Sequence, residues 1–284
     1  MKVRKKLLFG FAGCLLVLLS CVYIFIPGEL EISELRSVKC NASGASRILS
    51  LDPGRTKWWP PALEYPIPGA ALNIYPLGGV DSATLRMHVI INTSLNPVKR
   101  VLQYRQAFRI KSAMSTVLSR LSQFLEKKEN IYGMDVQDGL STDSAVVKME
   151  MVSFSYPDTA EIYRAIRGIR AYISSQNGKE TGYPMLHVIK VKDGSFKTMI
   201  AVPCDRILKK TDNFLPLRFV PWKVLTGEVH GGPYVAEQAM KQLQLYVMDH
   251  QKTAMAISFQ ALVTERNREP DTARWVTRVI QPVP

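Results

Sequence analysis

A carboxylate on an inward strand face can serve as a general base, and Glu228 is the residue of this sequence best placed to be one. It belongs to the run 222–230, in which Trp222, Val224, Thr226 and Glu228 alternate and would share one face of a strand. If that face is inward, Glu228 is a buried carboxylate that wants a partner. It is then the candidate base for hydrolysis of a small electrophilic or ester-like substrate. A strand-end glutamate facing solvent is the competing reading. Aromatic side chains point to a different chemistry. Tyr183, Phe259 and Trp275 fall on expected strands, and Met185 and His187 are in phase with Tyr183. Aromatic walls with few polar groups are what small-molecule clefts use, although core packing accounts for each residue taken singly. No G-x-S-x-G elbow, H-E-x-x-H pair or phosphate-cradling glycine loop occurs. The four histidines are scattered and there is no C-x-x-C, so the residues suggest no catalytic constellation, no metal and no cofactor.

Those residues need elements to position them, and the sequence offers the same set twice. The first set is a strand over 146–154, a helix over 158–176, a strand over 183–191 and, after the turn Asp193-Gly194, a strand over 196–202. The second is the strand 222–230, the break Gly231-Gly232-Pro233, a helix over 234–250, and strands over 257–264 and 275–280. A polar loop with Asn267, Pro270 and Asp271 joins those last two strands. Ile162, Ile166, Ile169 and Ile173 recur at steps of four, three and four, as do Ala236, Met240, Leu243 and Val247. Each stripe lays one helix face onto a sheet. The pattern predicts a pseudo-duplicated strand–helix–strand–strand domain over 146–284.

GEVHGGPY before a helix and a strand, then an acidic proline-containing loop leading to W-V-T-R-V-x-x-P-V, resembles the GyrI-like effector-binding family. The resemblance covers roughly 146–283. It is carried by Glu228, Gly232, Pro233, Tyr234, Thr264, Pro270, Trp275, Thr277, Pro282 and Val283. It implies two modules related by pseudo-twofold symmetry around a small-molecule cleft. Some members are hydrolases that use a cleft glutamate. At the position of this sequence that best matches the family's acidic site stands Gln260, and a second acidic position aligns with Arg278. The missing carboxylate weakens both hydrolysis and capture of organic cations. The expected ligand is therefore a small apolar or amphipathic molecule, and the expected ligand-binding residues are Tyr183, Met185, Glu228, Phe259, Gln260 and Trp275.

The N-terminal part reads differently. The basic cap MKVRKK precedes 7–26, twenty residues without a charge. As a helix this run is about 30 Å long, the thickness of a bilayer core. With Lys and Arg only on its N-terminal side, it predicts a transmembrane anchor over 1–28, the N-terminus in the cytoplasm and the remaining domains extracytoplasmic. The alternative is a lipoprotein cut before Cys21, since Leu18-Leu19-Ser20-Cys21 resembles a lipobox. Cys40 and Cys204 could pair in an oxidising compartment, or stay as two thiols. A net charge of +13 could favour nucleic acid. The basic residues form no recognisable binding motif, however, and the expected compartment lacks DNA, so no nucleic-acid partner is expected.

Between anchor and repeats, 30–38 reads as a strand, 43–51 as a short helix, 85–91 as a strand and 109–128 as a long helix. That helix has Ile110, Met114, Val117, Leu121, Phe124 and Leu125 on one face. With SLDPGRTKWWP at 50–60, the set resembles the helix-grip, START-like superfamily called SRPBCC, shortened by several strands. Trp58 and Trp59 would line its cavity or sit at a membrane interface. The chain is thus expected to be α+β: anchor 1–28, reduced helix-grip region 29–138, linker 139–145 and GyrI-like domain 146–284.

Overall fold

Leucine-rich, charge-free residues are strong helix formers, and the N-terminal run does fold as a helix, α1 (Lys2–Phe25). The computed structural model describes residues 2–50, 71–77, 79–141, 145–218 and 221–284. Among these residues no helix is long and apolar enough to cross a membrane. This corrects the expected transmembrane anchor and the single-pass placement built on it. The helix takes in Lys2, Arg4, Lys5 and Lys6, and its C-terminal end is committed to protein. Tyr23 donates to the Leu95 carbonyl and carries the Arg100 guanidinium 4.9 Å above its ring. Arg100, itself 7% exposed, donates through Nε to the Ile26 carbonyl at 2.9 Å. Cys21, the alternative anchor, is a half-buried free thiol inside the same helix.

The chain divides into two compact units, Met1–Glu126 and Lys127–Pro284. In the first, β1 (Glu29–Val38), α2 (Ala42–Ser50), β2 (Ala71–Pro76), β3 (Ala83–Asn92) and α3 (Pro97–Leu125) follow α1. The strands form an antiparallel sheet in the order β1-β3-β2. Leu85, Met87 and Val89 of β3 are buried together with Met114, Leu118, Leu121 and Leu125 of α3. Helix α3 begins twelve residues before its expected start. Asn96 caps it, its Oδ1 accepting from the amides of Val98 (3.0 Å) and Lys99 (3.2 Å), with Pro97 next. That is a strong start signal. Trp58, Trp59 and most of the motif 50–60 lie outside the described residues.

The second unit begins with α4 (Lys128–Tyr132) and β4 (Gln137–Leu140), so the expected linker at 139–145 overlaps a strand. Then come β5 (Ala145–Ser153), α5 (Thr159–Ser175), β6 (Met185–Lys190), β7 (Phe196–Cys204) and β8 (Leu215–Arg218). The unit ends with β9 (Lys223–His230), α6 (Pro233–Asp249), β10 (Phe259–Leu262) and β11 (Val276–Val283). Its eight strands form an antiparallel sheet ordered β4-β9-β11-β10-β6-β7-β5-β8. Counted as strands, the central six read first–third–second, second–third–first of the two repeats. This palindrome is the duplication expected from the sequence. The isoleucine stripe of α5 is buried on Val147, Leu186, Ile200 and Val202. On α6 the buried residues are Ala236, Ala239, Leu243, Tyr246 and Val247. Met240, expected in that stripe, is only half-buried.

Cys40 and Cys204 are both buried and both free thiols. Burial, then the carboxylates of Glu126 and Asp81, push the Cys40 thiol up to about 11.

Candidate functional site

Strand alternation divides the eight-stranded sheet into two faces. Leu186, Ile200, Val147 and Leu262 belong to the core beneath α5. Their neighbours Met185, Ala201 and Lys148 form a row on the opposite face, since Met185 pairs with Ala201 and Ala201 with Lys148. On this face lies a cavity of about 200 Å³, lined by Met185, His187, Met199, Ala201, Trp222, Phe259 and Pro282 among others. Its described lining contains no carboxylate and no lysine or arginine. His187 is the one titratable side chain there. Its Nδ1 lies 2.6 Å from the Ser258 carbonyl. A carbonyl can only accept, so Nδ1 carries the proton and the ring is held against the start of β10.

Two of the six expected ligand residues, Met185 and Phe259, meet at this cavity. The other four go elsewhere. Tyr183 precedes β6 and is 47% exposed. Gln260 is 3% exposed on the helix side, its Nε2 3.5 Å from the Met240 sulfur and its Oε1 buried without a partner. Trp275, ahead of β11, donates from Nε1 to the Glu269 carbonyl at 2.8 Å. Glu228 faces a second, polar pocket of about 560 Å³ with Asp135, Asp138, Thr226 and Arg278. Its carboxylate is 46% exposed and lies 3.2 Å from the Arg278 guanidinium across the strand pair. Of the two readings of Glu228, the structure has the solvent-facing one: the side chain is half-exposed and ion-paired, and the apolar cavity lies elsewhere.

Sequence reasoning missed Met199, Ala201, Trp222 and Pro282. Met199 and Ala201 lie on β7, Trp222 just before β9 and Pro282 on β11, and alternation within a strand does not show that sheet pairing brings them to one cavity. It also missed Arg266, 5% exposed in the polar loop. Arg266 Nη2 donates to Thr277 Oγ1 at 2.7 Å, and its guanidinium lies 5.0 Å from the Trp275 ring centre. Burial lowers its pKa. Arg266 thus ties the loop between β10 and β11 to the helix side of the sheet.

No family model matches the chain, and no curated protein matches it. Solved structures similar to parts of this chain include the EcmrR–DNA complex, 18% identical, covering 67% of this chain and 72% of that one, with a TM-score of 0.47. SAV2435 bound to tetraphenylphosphonium is 18% identical over 53% of this chain and 94% of its own, with a TM-score of 0.33. A hydrolase from Listeria innocua is 12% identical over 52% and 92%, with a TM-score of 0.37.

Proposed function

We propose that the second unit binds a small apolar or amphipathic molecule on the face of its sheet opposite α5, in the manner of a GyrI-like effector-binding domain, with Met185 and Phe259 among the contacts. The observation that carries this reading is the cavity of about 200 Å³ walled by methionine, aromatic and aliphatic side chains. Methionine is unbranched and polarizable, and Met185 and Met199 can adapt to ligands of different outline. Hydrolysis is the weaker reading, because Glu228 lies in the neighbouring polar pocket and is held by Arg278. Thermal unfolding of the full chain with neutral aromatic probes, such as naphthalene and indole, tests binding. A probe at 100 times its dissociation constant adds about 2.7 kcal/mol of stability and raises the melting temperature. Ala201→Phe fills the cavity and removes the shift, whereas Glu228→Gln leaves it in place. A flat response to every probe, or a shift that Ala201→Phe does not alter, would count against the proposal.

A further inference from the structure

The first unit presents a strand edge that fits a second copy of itself. Among the described residues β1 pairs with β3 alone, so one row of its backbone N–H and C=O groups has no strand partner. Such edges are usually protected by charge or shortness. This one is ten residues long and carries Leu35, 62% exposed, in its second half. Helix α3 packs on β1, and a groove of about 370 Å³ beside them is lined by Leu30, Ile32, Tyr104, Phe108 and Lys111 among others.

The side-chain order of β1 supplies the argument for the occupant. In a twofold antiparallel pair, opposed residues must point to the same side of the sheet, so the register can shift only in steps that keep like faces together. With Leu35 opposite Leu35 of the second copy, every pair is complementary. Glu34 faces Arg36 twice, Ser33 faces Ser37 twice, Ile32 faces Val38 twice, and Glu31 faces Lys39, which directly follows the strand, twice. The adjacent registers fail. Centring on Glu34 sets two carboxylates face to face, centring on Arg36 sets two guanidiniums face to face, and centring on Ser33 puts Glu34 against Ile32 and Arg36 against Leu30. Opposite charges across a strand pair stabilise it and like charges oppose it.

We propose that the chain forms a homodimer by antiparallel pairing of β1 with β1 of a second copy, centred on Leu35, so that the three-stranded sheet becomes a continuous six-stranded one. Sedimentation of the full chain over a concentration series tests it. The unaltered chain should show a concentration-dependent dimer. Glu34→Arg and Arg36→Glu, each alone, set two like-charged pairs across the axis and should weaken the dimer at least about tenfold. The double variant Glu34→Arg/Arg36→Glu restores both pairs in reversed sense and should recover the dimer. Leu35→Lys, a change at an exposed position, should abolish it. Circular dichroism on each variant separates loss of association from loss of fold. A chain that stays monomeric throughout, a dimer indifferent to the single charge reversals, or a double variant no better than the singles each overturns the proposal.

Discussion

The two repeats of the second unit share four elements and one topology, yet they fill the space between helix and sheet by different means. Under α5 the filling is aliphatic and β-branched: Ile162, Ile166, Ile169 and Ile173 meet Val147, Ile200 and Val202. Under α6 the helix contributes Ala236 where α5 has Ile162 and the half-buried Met240 where α5 has Ile166, and the sheet contributes Gly227, Gln260, Thr277 and Gln281. The room left by small residues is taken by Met134, brought in from the loop after α4, whose sulfur sits over Gly227. Polar groups in the second repeat are partly satisfied by backbone, as when Gln281 Nε2 donates to the Ala256 carbonyl at 2.8 Å. A strand order can thus be duplicated while the packing that stabilises it is solved separately in each half.

The largest test of that contrast is Ile166→Ala. Ile166 is fully buried in the first repeat, where stiff neighbours cannot collapse into the void. The expected loss is about 2–5 kcal/mol, read as a lower urea midpoint with an unchanged slope. A loss well under 1 kcal/mol would show that the first repeat is as loosely filled as the second.

What could be read from the sequence follows the same division. The isoleucine stripe of α5 was legible because bulky residues at helical spacing leave few alternatives. The stripe of α6 was misread at Met240, which is only half-buried, while Ala239 and Tyr246 beside the expected positions are buried. Short edge strands escaped entirely. β4 is QDGL and β8 is LPLR, with no alternation to detect. The N-terminal helix was legible as a helix, but not the contact of its Tyr23 with Arg100, 77 residues on, which no local pattern reveals. At the site, Phe259 and Gln260 were both expected in the cleft although consecutive strand residues face opposite ways. The resemblance led to Gln260, and alternation alone would have removed it.

A middle-sized effect isolates the inserted methionine. A Cβ added at Gly227 would lie 2.4 Å from Met134 Sδ. Met134 is itself only 3% exposed and has little room to withdraw. Gly227→Ala should therefore cost about 1–3 kcal/mol by overpacking. Met134→Ala in the same chain removes the clash, so the double variant should be more stable than the sum of the single losses predicts. Strict additivity in a denaturant cycle would mean that Met134 is not what fills the second repeat.

The smallest effects lie at the helix starts, where the repeats differ again. Helix α5 has a reciprocal cap. Asp158 Oδ1 accepts from the Glu161 amide at 2.7 Å, and Glu161 Oε2 accepts from the Asp158 amide at 3.1 Å. Helix α6 starts at Gly232 with no side-chain cap and Pro233 at its first position. Asp158→Ala should cost about 1 kcal/mol. Gly232 has φ −71°, open to any residue, and an added Cβ would come only within 3.7 Å of Thr272. Gly232→Ser can therefore offer a hydroxyl to the Tyr234 amide and should gain a few tenths of a kcal/mol. Gly231 does not allow the same change, since its φ of +140° and the Val235 side chain 2.7 Å from an added Cβ both require glycine. If Gly232→Ser lowers the melting temperature instead, the start of α6 is held by the Gly231 amide, which donates to the Trp275 carbonyl at 2.8 Å, and the second repeat begins its helix from the sheet rather than from a cap.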